Sequence, residues 1–349
     1  MFLFPLGEYI PFSLHGQQGV RMTRPKIWIE LCAGSAAVAI RLVGGPNANP
    51  PIGMMGGKRG FSRAILGVLG LRQGLGADEV WLNDAGPWGP VWACLTTPGK
   101  AEEVAAIIRG WKDEEPRALW DRLKAEGWGD LTEVGEVAAW HTCCAWSAKG
   151  TEYFSEAAAG MREDWAGSGP DALASRVEAV ARWLVCSGGA FRCGEPESGI
   201  GPNFTGHPGS DAFGAKERIT EWLPGRLSSW PTPVRAYHGS ALDVPIPEDC
   251  RGVFCYIDPP YQDTTGYQHD LPREDVIACA RRWSEAGAVV CISEAVPIEI
   301  EGWHHVEIGS ERVGQRRTFG GTREWLTLNR KPAWTPSVQV GLFSVHGEE

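Results

Sequence analysis

An acid, two prolines and a tyrosine directly follow a short apolar run in the second half of the chain. The run is VFCYI, and the four residues after it are Asp258, Pro259, Pro260 and Tyr261. Neither proline can donate a hydrogen bond to a sheet, so a strand must end there. The carboxylate and the proline carbonyls offer only acceptors, beside an aromatic face. An unpaired carboxylate at such a strand end is costly unless a ligand uses it, and open α/β sheets bind ligands at this end of their strands.

Two other stretches place ligand-binding chemistry after an apolar run. The run KIWIEL leads into a turn of small residues, and a glycine in such a turn lets a ligand approach the backbone and a helix N-terminus. The candidates in this turn are Glu30, Ala33, Gly34 and Ser35. Asp84 ends the run EVWLND, where an acid can accept two ribose hydroxyls, although aspartate is also a common helix cap.

These residues need a sheet that brings the ends of several strands to one edge. The apolar runs predict seven strands, at 26–31, 79–84, 234–242, 253–257, 288–293, 303–309 and 323–330. Helical patterns alternate with several of them, and the last two strands resemble a closing hairpin. We therefore predict an α/β, doubly wound sheet that is mostly parallel, with an antiparallel hairpin at its end.

The composition and periodicity of the sequence change between the two groups of predicted strands. Residues 99–233 combine amphipathic helices with a long loop rich in glycine and proline, and we interpret them as an inserted, mainly helical module. The catalytic domain would then comprise 22–98 and 234–332. Residues 1–21 would be an N-terminal extension, and 333–349 a C-terminal tail.

Composition narrows the class of protein. The 349 residues are 43% hydrophobic and 22% charged, as in globular proteins, and no stretch reaches the roughly 20 apolar residues that cross a bilayer. The N-terminus lacks the basic region of a signal peptide. The ten cysteines lack the spacing of a zinc site and are interpreted as reduced thiols. We therefore expect no membrane partner, no metal and a cytoplasmic location.

Positive charge is concentrated in two segments of a chain whose net charge is −10. Residues 41–72 contain five basic residues and no acid, and residues 310–331 contain six basic residues against two acids. Either these segments are solvated faces or they are basic walls that meet a nucleic acid. On the second interpretation the candidate DNA-binding residues are Arg312, Arg316, Arg317 and Arg323.

Five motifs together resemble the DNA adenine methylase family of S-adenosylmethionine-dependent methyltransferases. ELCAGSAAV resembles its first motif, and DPPY after a hydrophobic strand resembles its catalytic motif. GGKRGFSRAIL is similar to its Gly-Gly-Lys segment, LNDAGPW to its second-strand acid, and REWLTLNR to its closing strand. The resemblance covers roughly residues 25–95 and 234–332, and DPPY is its most specific part.

The resemblance implies a fold, an activity and a set of site residues. It implies a Rossmann-like methyltransferase sheet whose insert recognises the target, S-adenosylmethionine as cofactor, and double-stranded DNA as partner. The methyl group would move to N6 of an adenine that is flipped out of the duplex. The protein would act in the cytoplasm of a bacterial or phage-infected cell. Its oligomeric state stays open, and a monomer is compatible with the resemblance. The catalytic residues would be Asp258, Pro259, Pro260 and Tyr261. The cofactor would contact Glu30, Ala33, Gly34, Ser35, Lys58, Asp84 and Asp258.

The sequence departs from the family pattern at three places. Ala36 replaces the second glycine of the first motif, and Ser240 stands where many methyltransferases have an acid. Lys58 follows the first motif instead of preceding it. We favour a contact of Lys58 with the cofactor carboxylate; the alternatives are a DNA phosphate and an exposed loop lysine. RNA adenine methylation, cytosine N4 methylation and a non-catalytic DNA-binding relative also remain open.

Overall fold

The structure is a computed structural model that describes seven segments of the chain. These are residues 24–52, 57–111, 113–127, 171–189, 234–261, 271–309 and 323–335. Within them the strands are β1 Ile27–Leu31, β2 Glu79–Asp84, β3 Val234–His238, β4 Val253–Ile257, β5 Val289–Glu294, β6 His304–Gly309 and β7 Arg323–Leu328. The helices are α1 Ala37–Gly44, α2 Ser62–Val68, α3 Trp88–Thr96, α4 Lys100–Gly110, α5 Pro116–Glu126, α6 Asp171–Gly189 and α7 Arg273–Glu285. A short 3-10 helix, Lys58–Gly60, precedes α2.

All seven strands form one sheet in the order β3-β2-β1-β4-β5-β7-β6. The first five strands in this order pair in parallel, and β7 pairs antiparallel with both β5 and β6. The chain moves outward from β1 to β2 and β3, then returns to place β4 and β5 on the other side of β1. The direction of winding therefore reverses between β1 and β4, and ligands of open α/β sheets bind in the crevice at such a reversal.

Two hydrophobic layers cover the two faces of the sheet. Alternate residues of β1 show the division: Trp28 packs into the layer that contains α1 to α6, and Ile29 packs into the layer that contains α7. Residues of a strand point alternately to opposite faces, so a central strand that is covered on both sides must be apolar throughout. The five residues of β4 are all buried for this reason.

The described helices of the 99–233 region belong to the same core as the sheet. Residues of α4, α5 and α6 join one apolar cluster with α1, α2 and α3. The ring of Trp183 on α6 meets the ring of Trp88 on α3 edge-on, with centroids 5.2 Å apart. Contacts of this kind fix the orientation of two helices as well as burying area. These helices therefore support the sheet directly.

The predicted fold class is confirmed as an α/β protein with a mostly parallel sheet and an antiparallel closing hairpin. The seven predicted strands are present, with shifts of a few residues at their ends. Helix α3 was not predicted. Its sequence, WGPVWACLT, is buried along almost its whole length and therefore has no polar face that would reveal a helical period. In the part of the chain that the structure describes, no helix has the length and apolar character needed to span a bilayer.

Candidate active site at the carboxyl edge of the sheet

Strand register places several polar residues in one row along the carboxyl edge of the sheet. Leu31 pairs in register with Asn83 on β2 and with Ile257 on β4, so the next residues along these strands, Asp84 and Asp258, lie on the same level. Two strand spacings separate them, or roughly 10 Å. The row continues to His238 on β3 and to Ser293 on β5, and Cys32 follows β1 between the two aspartates. The sheet thus gathers the two acids on either side of the winding reversal.

The turn between β1 and α1 lies at the centre of this row. Its backbone has positive φ at Cys32 (57°), Gly34 (47°) and Ala36 (50°). Positive φ costs a non-glycine residue about 1–2 kcal/mol, so Cys32 and Ala36 are held by their surroundings. The amide of Ala33 donates to the Asn83 carbonyl at 2.7 Å, and the amide of Ala36 donates to the Ala33 carbonyl at 2.7 Å. The turn is therefore fixed both to itself and to β2.

Glu30 anchors the first turn of α1 from inside the protein. Its side chain is buried, and Oε2 accepts hydrogen bonds from the Ala39 amide at 2.8 Å and from Trp28 Nε1 at 3.3 Å. No side chain at the N-cap position, Ala36, binds this helix end, so Glu30 satisfies an amide that the cap residue leaves without a partner. Burial raises the pKa of Glu30 to about 8. A contact of this residue with the cofactor stays a prediction.

Asp84 joins two loops through its carboxylate. Oδ2 accepts from the Gly34 amide at 2.8 Å, and Oδ1 accepts from the Gly86 amide at 2.8 Å. Trp92 on α3 donates its Nε1–H to the Gly34 carbonyl at 2.6 Å, so both polar groups of the Gly34 backbone are bound. Each carboxylate oxygen can accept a further hydrogen bond, and Asp84 is half-buried.

Helix α3 approaches the ends of β2 and β3 closely at Gly89. A Cβ at this position would lie against the carbonyl oxygen of Asp84 and 2.5 Å from His238 Nδ1. His238 Nδ1 is also 3.1 Å from the same Asp84 carbonyl. Only glycine lets the backbone of α3 come this near, and that approach places Trp92 within reach of the β1–α1 turn.

Asp258 begins the second half of the site and is paired with Lys58. The Asp258 amide donates to the Leu31 carbonyl at 3.2 Å, which extends the pairing of β4 with β1 by one residue. Lys58 Nζ lies 2.8 Å from Asp258 Oδ1, and the Asp258 side chain stays 19% exposed. Burial raises the pKa of Asp258 to about 7, against the opposing effect of the Lys58 ammonium. The acid is accessible, and a cation already occupies one of its oxygens.

Lys58 and Glu324 connect Asp258 to Tyr261. Lys58 Nζ lies 3.6 Å from Glu324 Oε1 and 4.5 Å from the centroid of the Tyr261 ring. The hydroxyls of Tyr261 and Ser293 both donate to Glu324 Oε1. Burial and the neighbouring carboxylates Asp258 and Glu324 raise the pKa of Tyr261, so its hydroxyl is neutral and donates. One ammonium and two hydroxyls thus hold two carboxylates beside an aromatic face.

The predicted residues form two connected groups at one edge of the sheet. Glu30 to Ser35 and Asp84 form the first group, and Asp258 to Tyr261 with Lys58 form the second; the Asp258 charge contributes to the raised pKa of Glu30. In the second group Pro259 is buried and Pro260 half-buried. Burial contradicts the interpretation of Lys58 as an exposed loop lysine.

Two site residues were missed, and several predicted ones cannot be placed. Glu324 and Ser293 were not expected in the site. Glu324 lies on the same side of β7 as Leu326 and Leu328, so an acid at an inward position of an apolar strand was the available signal. Arg312, Arg316 and Arg317 lie outside the described residues, and Arg323 is the first residue of β7.

Comparison with known proteins gives no family assignment. No protein-family model matches the chain, and no curated protein matches it. The function is therefore proposed from the geometry of the site and from the motifs.

Proposed function

We propose that the protein is an S-adenosylmethionine-dependent methyltransferase that methylates N6 of adenine in double-stranded DNA. One observation supports this most strongly: Asp258-Pro259-Pro260-Tyr261 follows a fully buried central strand at the point where the sheet reverses its winding, beside the β1–α1 turn. In this proposal the sheet and its helices form a Rossmann-like methyltransferase domain. Residues 99–233 contain the target-recognition module.

The first half of the site fits the cofactor by its hydrogen-bond acceptors and its open backbone. A carboxylate oxygen can accept more than one hydrogen bond, so Asp84 suits ribose hydroxyls in addition to the amides of Gly34 and Gly86. The backbone at Gly34, with positive φ and no side chain, allows close approach of the methionine part. Among the described residues, the negative charges of Asp258, Glu294 and Glu324 are opposed by the Lys58 ammonium and, at Glu294, by Arg273. This excess of negative charge suits a cofactor that supplies a methyl group on a positively charged sulfur.

Asp258 would act on the amine that receives the methyl group. An exocyclic amine is a poor nucleophile because its lone pair is delocalised into the ring. When the Asp258 carboxylate and a carbonyl of Pro259 or Pro260 accept both N–H hydrogens, the nitrogen becomes pyramidal and its lone pair is directed away from the ring. Positive charge would develop on this nitrogen as the N–CH3 bond forms and the S–CH3 bond breaks, so the two contacts strengthen in the transition state. The methylated amine would then lose one N–H proton to solvent, and S-adenosylhomocysteine would leave as a neutral thioether.

Tyr261 and the prolines would position the base. A base inside a duplex cannot reach Asp258, so the adenine must leave the stack, at a cost of a few kcal/mol. The ring of Tyr261 offers a face on which the extracted base can stack, and its hydroxyl is fixed by Glu324. The prolines keep the backbone rigid and supply no N–H that would compete for the acceptors.

The proposal can be tested with a random duplex library and labelled S-adenosylmethionine. Methylated nucleosides are then identified by mass spectrometry, and the modified positions are read at single-base resolution. We expect N6-methyladenine in a defined sequence context from the wild type, and none from Asp258→Ala. N4-methylcytosine, or methylation of RNA in competition with DNA, would replace the proposed substrate by another.

A binding protein without activity would give a different result. It would bind duplex DNA while transferring no methyl group to any nucleic acid, and calorimetry would show whether it binds S-adenosylmethionine at all. Binding of the cofactor without transfer to DNA or RNA would contradict the proposed function.

A further inference from the structure

Glu324 is a buried carboxylate at the junction of three elements of the site. Its side chain is 6% exposed, and its Oε1 is bound by the hydroxyls of Tyr261 and Ser293. The same oxygen lies 3.6 Å from Lys58 Nζ. A buried charge is expensive unless it is paired and hydrogen-bonded, so these three groups compensate Glu324, and Glu324 in turn fixes their positions.

The Lys58 ammonium occupies the place that the proposed function gives to the substrate amine. It lies 2.8 Å from Asp258 Oδ1 and 4.5 Å from the centroid of the Tyr261 ring. An adenine amine that binds Asp258 and stacks its base on Tyr261 needs the same acceptor and the same face. Lys58 must therefore release Asp258 when the substrate binds.

A Lys58 side chain that leaves Asp258 has a second acceptor nearby, because Glu324 Oε1 lies only about 1 Å beyond hydrogen-bonding distance of its ammonium. Lys58 is buried, so leaving Asp258 without another acceptor would strand an ammonium in a poorly solvated environment. Glu324 lies 3.6 Å away, and hydrogen bonds between ammonium and carboxylate are about 2.8 Å long. A small movement of the lysine side chain completes the exchange.

We propose that Glu324 is a positioning residue that accepts Lys58 when a substrate amine occupies Asp258, and that holds the Tyr261 ring through its hydroxyl. This inference deepens the proposed function and rests on it for the identity of the amine. The exchange leaves the full charge of Asp258 for the substrate, and the ammonium neutralises Glu324 at the same time. Neither residue needs to leave the buried cluster.

The interaction itself can be tested without cofactor or DNA, by competitive acetylation of lysines with isotope-coded acetic anhydride. Lys58 is measured in the wild type, Asp258→Asn, Glu324→Gln and the double variant, relative to the exposed Lys26 of the same molecule. We expect each single variant to protect Lys58 nearly as well as the wild type, because one carboxylate remains. Loss of both should speed labelling by about ten-fold or more, the effect of lowering an amine's pKa by one unit.

The exchange would be overturned if Lys58 were labelled as fast in Asp258→Asn as in the double variant. Glu324 alone would then be unable to hold the Lys58 ammonium. Asp258→Ser provides a second variant if Asp258→Asn fails to fold, as judged by circular dichroism. Because the measurement needs no methyl transfer, its outcome is independent of whether the proposed function holds.

Kinetics test the positioning role. Glu324→Gln keeps an acceptor for Tyr261 but cannot neutralise Lys58, so kcat for methyl transfer should fall by about ten-fold or more while KM for cofactor and DNA changes by less than about three-fold. The active fraction is measured by cofactor titration, so that loss of folded enzyme is not counted as loss of kcat. An unchanged kcat per active site would overturn the positioning role.

Discussion

Asp258 combines two properties that suit a methyl-transfer site: its side chain is partly exposed, and its carboxyl pKa is raised. It is reachable from solvent, and its pKa is raised to about 7 by burial although Lys58 lies 2.8 Å from it. Asp258→Ala should therefore lower methyl transfer by ~10² or more, the scale of removing one preorganised polar group, while cofactor affinity stays within a few-fold. Single-turnover kinetics and calorimetry measure the two quantities. Near-normal turnover of this variant would remove Asp258 from the mechanism.

Asp84 is expected to contribute to cofactor affinity. Asp84→Ala should weaken S-adenosylmethionine binding by about 1.5–3 kcal/mol, the value of hydrogen bonds to a charged group. Part of this loss would come from the β1–α1 turn, because the Gly34 amide also loses its acceptor. Asp84→Asn keeps one acceptor oxygen and serves as the control, with an intermediate affinity. If calorimetry gives the same dissociation constant for all three proteins, Asp84 acts only as a loop anchor.

Glu30 should make folding stability depend on pH. Its pKa rises from 4.5 to about 8 on folding, so between these values the folded protein holds a proton that the unfolded chain has released. The free energy of unfolding therefore falls as pH rises through this window. Asp258 acts with the same sign, because its pKa is also raised.

Glu30→Gln keeps an acceptor for the Ala39 amide and cannot titrate. We expect its thermal midpoint to change less than that of the wild type between pH 5 and pH 8. Glu102→Gln, at an exposed position on α4, is the control and should retain the wild-type profile. A profile of Glu30→Gln that parallels the wild type would contradict the buried, protonated state of Glu30.

At the scale of elements, the packing of α3 on β2 and β3 depends on one glycine. Gly89→Ala would place a methyl group against the Asp84 carbonyl and His238, and forced overpacking costs about 1–3 kcal/mol. The shift of α3 should also disturb Trp92 and the Gly34 carbonyl that it binds. We expect a lower free energy of unfolding in urea and weaker cofactor binding together.

Gly110→Ala provides the matched control for this prediction. It lies at the end of α4, and a Cβ there meets nothing within 4 Å. Alanine is the better helix former, so this change should be neutral or stabilising by up to about 1 kcal/mol. Equal effects at the two glycines would contradict the close approach of α3.

Sequence periodicity predicted the strands well. It failed for a helix that has no polar face opposite its apolar face. The strands are apolar runs with defined ends, because turns and prolines interrupt them. Helix α3 is buried along nearly all its length, so no polar face marks its period. The inward position of Glu324 on β7 indicates burial, but the sequence does not show its partners, because they lie on other strands and loops. The position of Lys58 depends in the same way on a tertiary interaction that spacing does not encode.

At the scale of the whole molecule, the protein and its proposed DNA partner both carry net negative charge, so their contact would need local positive charge on the protein. The acid-free segment 41–72 includes Arg59 and Arg63, which are exposed one turn apart beside the buried Lys58. The double variant Arg59→Ala/Arg63→Ala should reduce the slope of log K against log salt for DNA binding by about 2, one for each phosphate that is no longer neutralised. Fluorescence anisotropy over a range of salt concentrations measures this slope.

Arg281→Ala, at an exposed position on α7, is the control and should leave the slope unchanged. An unchanged slope in the double variant would mean that Arg59 and Arg63 lie away from the DNA.

The overall α/β architecture followed from the sequence, because each strand carries its own pattern. The strand order could not be predicted from periodicity alone, since a pattern of apolar residues does not specify its neighbours.

The pairing of β1 with β4 brings together residues that are 226 positions apart in the chain, such as Ile27 and Val253. Closing so long a loop costs conformational entropy, and no stabilising contact forms until both ends meet. We therefore expect such pairings to form late in folding. The β1–α1 turn emerges from the ribosome before Asp258, and Asp258 emerges before Glu324, because they follow one another in the chain. A nascent or truncated chain therefore has no assembled site, and the onset of activity should coincide with completion of the sheet.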